Sequence, residues 1–268
     1  MGRIAAMAAV VACLGAASTA CDRDTVRVSF RPPVGARYRY QVKVHSETTT
    51  RLAGTAPDVT VDDLVLDAEH TVLSAGAGAG DVRVQVRLRQ QGVADRTFVV
   101  RLDRAAQLAG VDAVEGLPPS VAGPDALPEV LPGAPGAPPA RPLSPGERWT
   151  IDAPTGLPGA GDARLMGSGR LVALGLLDGR KVATTRSRTT LPLSSTTGLQ
   201  GSAVALDGTE TTDGTAWRLL ADGSVERSTT ATVGRFKVTL APADATQATV
   251  VGGTLELDVR SETRRLRP

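Results

Sequence analysis

Apolar and polar residues alternate along most of this chain, with the two-residue period of a β-strand. Tyr38, Tyr40, Val42 and Val44 fall on one face, and Arg37, Arg39, Gln41, Lys43 and His45 on the other. The alternation runs on through residues 46–50. A strand of about 14 residues spans roughly 46 Å at ~3.3 Å per residue. That is long for a small sandwich and suits a broad curved sheet or barrel. Residues 26–30 alternate as well and predict a short leading strand before the turn Pro32-Pro33-Val34-Gly35.

Further strands follow at 59–74, 82–89 and 97–102, each apolar on one face and rich in arginine or acid on the other. This one-sided pattern marks an antiparallel sheet with one solvated face. Residues 105–117 fit a short strand or a helical turn. Residues 118–146 hold most of the chain's 18 prolines. Proline lacks the amide donor of a central strand, so this stretch reads as a linker or a loop packed across the sheet, with one short helix at 125–131. Gly146-Glu147-Arg148-Trp149 then echoes Gly35-Ala36-Arg37-Tyr38, and strands resume at 165–177, 181–193, 209–220, 224–240 and 255–260. Asp178-Gly179 and Ala221-Asp222-Gly223 supply the turns between them. The expected architecture is all-β: a large antiparallel meander of roughly ten to twelve strands, forming a curved sheet or partly open barrel. Two similar halves, 24–117 and 147–268, flank the proline-rich connection.

The first 24 residues belong to a different pattern. Arg3 supplies a short positive region, and residues 4–17 form an apolar run too short to cross a bilayer core of ~30 Å at ~1.5 Å per residue. Small residues precede Cys21, and polarity rises sharply at Asp22. Residues 1–20 therefore read as a signal peptide, with cleavage between Ala20 and Cys21 and lipid attachment at Cys21. Two other readings fit the letters: ordinary cleavage after Ser18-Thr19-Ala20, and a lipid site at Cys13 after Val10-Val11-Ala12. Both cysteines of the chain precede Asp22, so residues 22–268 contain no disulfide. An odd cysteine at a mature N-terminus is accounted for by lipid attachment. The implied location is the extracytoplasmic face of a cell membrane.

Charge and composition narrow the function by exclusion. The net charge of +2 is spread evenly, which argues against nucleic acid, whose phosphates need a concentrated basic face. Arg outnumbers Lys 27 to 3 and Asn is absent, as in a high-GC genome such as an actinobacterial one. Aromatic residues are scarce, so a site that stacks rings on sugars or bases is not expected. His45 lies on a polar strand face and His70 on an apolar one, neither with metal-ligand spacing. No Gly-x-Ser-x-Gly, Ser-x-x-Lys or Cys–His arrangement is present. Gly76-Ala77-Gly78-Ala79-Gly80 lies between strands and reads as a hairpin tip, Asp62-Asp63 as a charged turn, and Arg264-Arg265-Leu266-Arg267 as a basic tail. No catalytic residue, cofactor or metal is assigned.

The segment Phe30-x-Pro-Pro-x-Gly-x-x-Tyr-x-Tyr, the later Pro-Leu-Ser-Pro-Gly-Glu-Arg-Trp and the closing meander resemble a family of bacterial envelope lipoproteins. The resemblance covers most of the mature chain, 21–268, and implies location and β architecture; it brings no catalytic residue. A long-stranded meander behind a lipid anchor also resembles, at the level of fold, the half-barrel lipid carriers of bacterial envelopes. The expectation is a non-catalytic domain that binds a hydrophobic ligand or a protein partner. Small interior side chains can leave a cavity for it. The rival expectation is a structural lipoprotein with a filled interior.

Overall fold

The computed structural model describes residues 25–76, 82–102, 106, 108–114, 136, 138–154, 163–199, 202–242 and 250–267. Eleven strands form one antiparallel sheet: β1 (Arg37–Leu52), β2 (Asp58–Ala75), β3 (Val82–Gln90), β4 (Val93–Leu102), β5 (Leu108–Val114), β6 (Arg148–Pro154), β7 (Arg164–Leu177), β8 (Arg180–Leu199), β9 (Ser202–Leu219), β10 (Val225–Pro242) and β11 (Val251–Leu266). No helix occurs among the described residues. The strand order is β5-β4-β3-β2-β1-β11-β10-β9-β8-β7-β6: β1 to β5 and β6 to β11 are two meanders of sequence neighbours, and they join where β1 pairs with β11. The sheet is nearly closed into a barrel, with β5 and β6 as its two edges. The Asp178-Gly179 hairpin has positive φ at both turn residues, the geometry whose twist matches that of the flanking strands.

The predicted leading strand at 26–30 does not join the sheet. Val26 makes a lone bridge with Leu143, and the segment crosses the inside of the barrel end, burying Val28 and Phe30. Ser29 between them is buried as well, so the apolar-polar alternation here does not separate a buried from a solvated face. Within 105–117, Leu108–Val114 forms a strand, β5. Asp62 and Asp63 sit within β2, not in a turn. The short helix expected at 125–131 lies outside the described residues.

The echo between Gly35-Ala36-Arg37-Tyr38 and Gly146-Glu147-Arg148-Trp149 has a structural counterpart. Gly35 N–H donates to Val72 O and Val72 N–H to Ala36 O; likewise Gly146 N–H donates to Leu171 O and Leu171 N–H to Glu147 O. Both glycines have positive φ, where a side chain would be strained. The register shifts just after Val72 in β2 and just after Leu171 in β7. Tyr38 and Trp149 then turn inward as the first buried residues of β1 and β6.

Strand lengths differ around the barrel. β2 pairs with β3 only from Asp67 onward, so Asp58–Leu66 has no strand neighbour on that side among the described residues. The β1–β2 hairpin and the long strands β8 to β11 therefore stand as a tall wall above the short strands β3 to β6.

Candidate functional site

The inner face of the barrel has three zones. Nearest the N-terminal segment is an apolar core of Phe30, Tyr38, Tyr40, Val42, Val84, Val86, Phe98 and their neighbours. Val28, Leu143, Trp149, Ile151, Leu171 and Ala183 form a second cluster under β6–β8. In this part the interior is filled. A small cavity of about 20 Å³ lies among Tyr40, His70 and Arg218, room for a single water.

A cluster of polar side chains seals this end. Asp222, in the β9–β10 turn, accepts hydrogen bonds from Tyr38 Oη (2.9 Å), Ser224 N (2.9 Å) and Ser224 Oγ (2.7 Å). Arg265 donates to Ser224 Oγ (3.1 Å) and Glu226 Oε1 (2.7 Å), and Arg180 donates to the same Glu226 oxygen (2.9 Å). Arg218, 1 % exposed, reaches Gly223 O at 3.4 Å. Burial, then the Asp222 carboxylate, pushes the Tyr38 phenol well above its ordinary range, and burial does the same to Tyr40. Ser224 is 1 % exposed, and its hydroxyl lies between the Asp222 carboxylate and the Arg265 guanidinium. The turn is also clamped by the N-terminal segment: Arg31 N–H donates to Asp222 O, and a Cβ at Gly223 would strike Ser29 O. The cluster closes the barrel end. The sequence carries one signal for it, since Asp-Gly-Ser is an Asx-turn pattern whose carboxylate accepts from the amide two residues on.

The middle zone is a belt of hydroxyls. Thr185, Ser187 and Thr189 on β8, Thr212 on β9, Ser228, Thr230 and Thr232 on β10, and Ser261 and Thr263 on β11 share the inner face by register. Four of them pair across strands, Thr212 Oγ1 at 2.9 Å from Thr232 Oγ1 and Thr230 Oγ1 at 2.7 Å from Ser261 Oγ, while Thr185 Oγ1 donates to the backbone at Ala216 O at 3.3 Å.

Beyond the belt the tall wall turns apolar again. Leu52, Leu193, Leu206, Phe236, Leu255 and Leu257 share the inner face. A Cβ at Gly208 or Gly234 would collide with Phe236, so the ring lies flat over both glycines. Phe236 is buried there, while Leu206, Leu255 and Leu257 remain half-buried. The short strands do not reach this level to cover them. Glu210 is the acidic residue on the wall.

The residues singled out in the sequence fall as follows. Ala20 and Cys21, the cleavage and lipid sites, lie outside the described residues, as do the first cysteine Cys13 and most of the glycine-rich tip. His45 stands on the outer face and bonds Asp63 Oδ1 at 2.8 Å, directly across from it on β2. His70 is buried edge-on against Tyr40, with ring centroids 5.0 Å apart. Arg264, Arg265 and Leu266 belong to β11 and are not a loose tail. No group of three His, Cys, Asp or Glu side chains suited to a metal ion occurs among the described residues. Comparison with protein-family models and with curated proteins returns no match.

Proposed function

We propose that this is an exported, lipid-anchored cell-envelope protein whose non-catalytic β domain holds a hydrophobic ligand, or an apolar segment of a protein partner, against the inner wall of β8–β11. The observation that carries this reading is the half-buried apolar wall of Leu206, Leu255 and Leu257 around Phe236, left uncovered by the short strands. A protein with a purely structural interior would gain by covering such a surface, since each Å² of apolar area kept from water contributes about 25 cal/mol. The filled core at the opposite end moves the expected site from a central cavity to this open end. Anchoring rests on the leader: an apolar run of signal length, small residues before Cys21, and only Asp22, Arg23 and Asp24 before the described domain begins.

The wall is tested with a fluorescent hydrophobic probe and by native mass spectrometry of protein taken from membranes in mild detergent. Leu257→Glu should weaken probe binding at least about tenfold, while Thr254→Glu on the outer face leaves it unchanged. Equal probe binding by both variants, with no lipid co-purified, would remove the wall as a binding surface. The anchor is tested separately. Cys21→Ala, or globomycin, should leave the unprocessed form or free the protein from membranes; unchanged fractionation rejects it.

A further inference from the structure

The outer face carries a second surface, unrelated to the apolar wall. On β6, β7 and β8, Arg148 is paired directly with Arg170, and Arg170 directly with Arg186. All three are exposed. They rim an open groove of about 580 Å³, to which Arg188, Arg260 and Asp213 also contribute. Like charges directly opposite on neighbouring strands repel, and here three stand in an unbroken row. Most arginines of the outer face are handled differently: Arg83 and Arg101 share Asp112, Arg87 and Arg89 share Asp95, and Arg227 takes Glu262. Among the described residues, neither Arg148 nor Arg186 has a carboxylate within ion-pair distance. Arg170 is held by Nε on Gly146 O at 3.2 Å, which fixes its position and leaves its terminal amino groups for another partner. Asp213 is 3.6 Å from Arg188 and Asp258 3.3 Å from Arg260.

The repeat within the barrel provides an internal control. The positions equivalent to Arg148, Arg170 and Arg186 in the first half are Arg37, Thr71 and Gln85, again paired in one row. The same local fold is built there with one charge, so the architecture does not require three. The floor of the groove is of small residues, including Gly214, Ala231 and Ser168, and its volume is that of a small-molecule site. Guanidinium forks match phosphate oxygens two at a time.

We propose that this groove is an anion site for a ligand bearing two or more phosphate charges, either a soluble phosphate ester or the headgroup of an anionic lipid. The test uses the full chain carrying Cys21→Ala, so that no acyl group contributes. It compares two triple variants that remove the same charge: Arg148→Ser/Arg170→Ser/Arg186→Ser in the groove, and Arg51→Ser/Arg96→Ser/Arg235→Ser elsewhere on the exposed surface. Calorimetry with inorganic pyrophosphate and co-sedimentation with cardiolipin vesicles, whose headgroup carries two phosphates, read the two sources. At least one probe should bind, with affinity lowered tenfold or more in the groove variant and less than twofold in the control. Pyrophosphate binding alone identifies a soluble ester; vesicle binding alone identifies a headgroup. In the absence of either probe the groove variant should melt at or above the parent temperature, because repulsion is relieved. Failure of both probes to bind, or an equal loss in the two variants, overturns the proposal.

Discussion

The two halves of the barrel begin with the same move and then diverge. In each, a glycine at positive φ docks a turn onto the second strand, the register of that strand then shifts, and an aromatic residue turns inward. Behind Tyr38 and Tyr40 the equivalent inner positions of the second and third strands are His70, Ala68, Val84, Val86 and Leu88; behind Trp149 and Ile151 they are Gly169, Gly167, Thr185, Ser187 and Thr189. One half builds a hydrocarbon core. The other presses a large indole onto bare backbone and continues as a belt of hydroxyls. Similar backbone hydrogen bonding thus supports two interiors, and side-chain volume and polarity decide which is made. The phenol of Tyr38 finds a carboxylate, Asp222; the indole Nε1 of Trp149 is buried and meets no acceptor among the described residues.

The strongest way to break this comparison is at the glycine under the indole. A Cβ at Gly169 would overlap the Trp149 ring, and the obstacle is a rigid aromatic within a buried cluster. Gly169→Val should expel the ring and cost about 3–5 kcal/mol, the scale of losing a tryptophan from a core, measured by denaturant unfolding. The equivalent position of the other half already carries the His70 side chain. A cost below about 1 kcal/mol at Gly169 would mean that the second half does not depend on this contact.

Alternation, turn residues and strand number were legible in the sequence because they depend on local chemistry: Tyr38 to Val44 can place their apolar side chains inward in only one way. Gly-x-Arg-aromatic was legible as an echo for the same reason. The polar seal at the barrel end was not. Asp222 and Tyr38 are 184 residues apart, and they meet only because β1 joins β11, a pairing of the first and last strands that no local signal marks. The arginine row was hidden for a related reason. Arg148, Arg170 and Arg186 are spread over three strands, so an evenly distributed net charge concealed a local concentration. The leading segment 26–30 misled because its apolar-polar alternation does not track burial: Val28, Ser29 and Phe30 are all enclosed, and only Val26 makes a bridge.

The buried phenols offer the next largest effect and probe the first half alone, since both tyrosines of the chain lie in β1. Each has its folded-state pKa raised, first by burial. A raised acid holds its proton more tightly in the folded state than in the unfolded one, whose phenols ionise near pH ~10. Stability is therefore unaffected below pH ~10 and falls as pH rises beyond it, by up to about 1.4 kcal/mol per pH unit for each phenol. Tyrosinate absorbance should stay absent until the protein unfolds and then appear from both residues in one step. Ionisation of either phenol near pH 10 in a protein that still shows its native circular dichroism would mean that the seal around Tyr38 and Asp222 is open to solvent.

The smallest effect is the most direct comparison of the two interiors, because valine and threonine have nearly the same shape. Val84 and Thr185 are equivalent, each on the third strand of its half and each buried: Val84 faces Val72 and Val100, Thr185 faces Leu171 and Ala216. Val84→Thr places a hydroxyl in the hydrocarbon core of β1–β4. The strand carbonyls there are engaged in the sheet, and the cost should be about 1–3 kcal/mol, that of burying a polar group without a good partner. Thr185→Val removes a hydroxyl whose one bond, to Ala216 O, is long at 3.3 Å. That carbonyl belongs to the sheet, so no buried group is stranded, and the change should lie within about 1 kcal/mol of neutral. The ordering is the informative quantity. If Thr185→Val proves the more damaging of the two, the belt is held together by its hydroxyls, and the second half is specified by hydrogen bonds in place of volume.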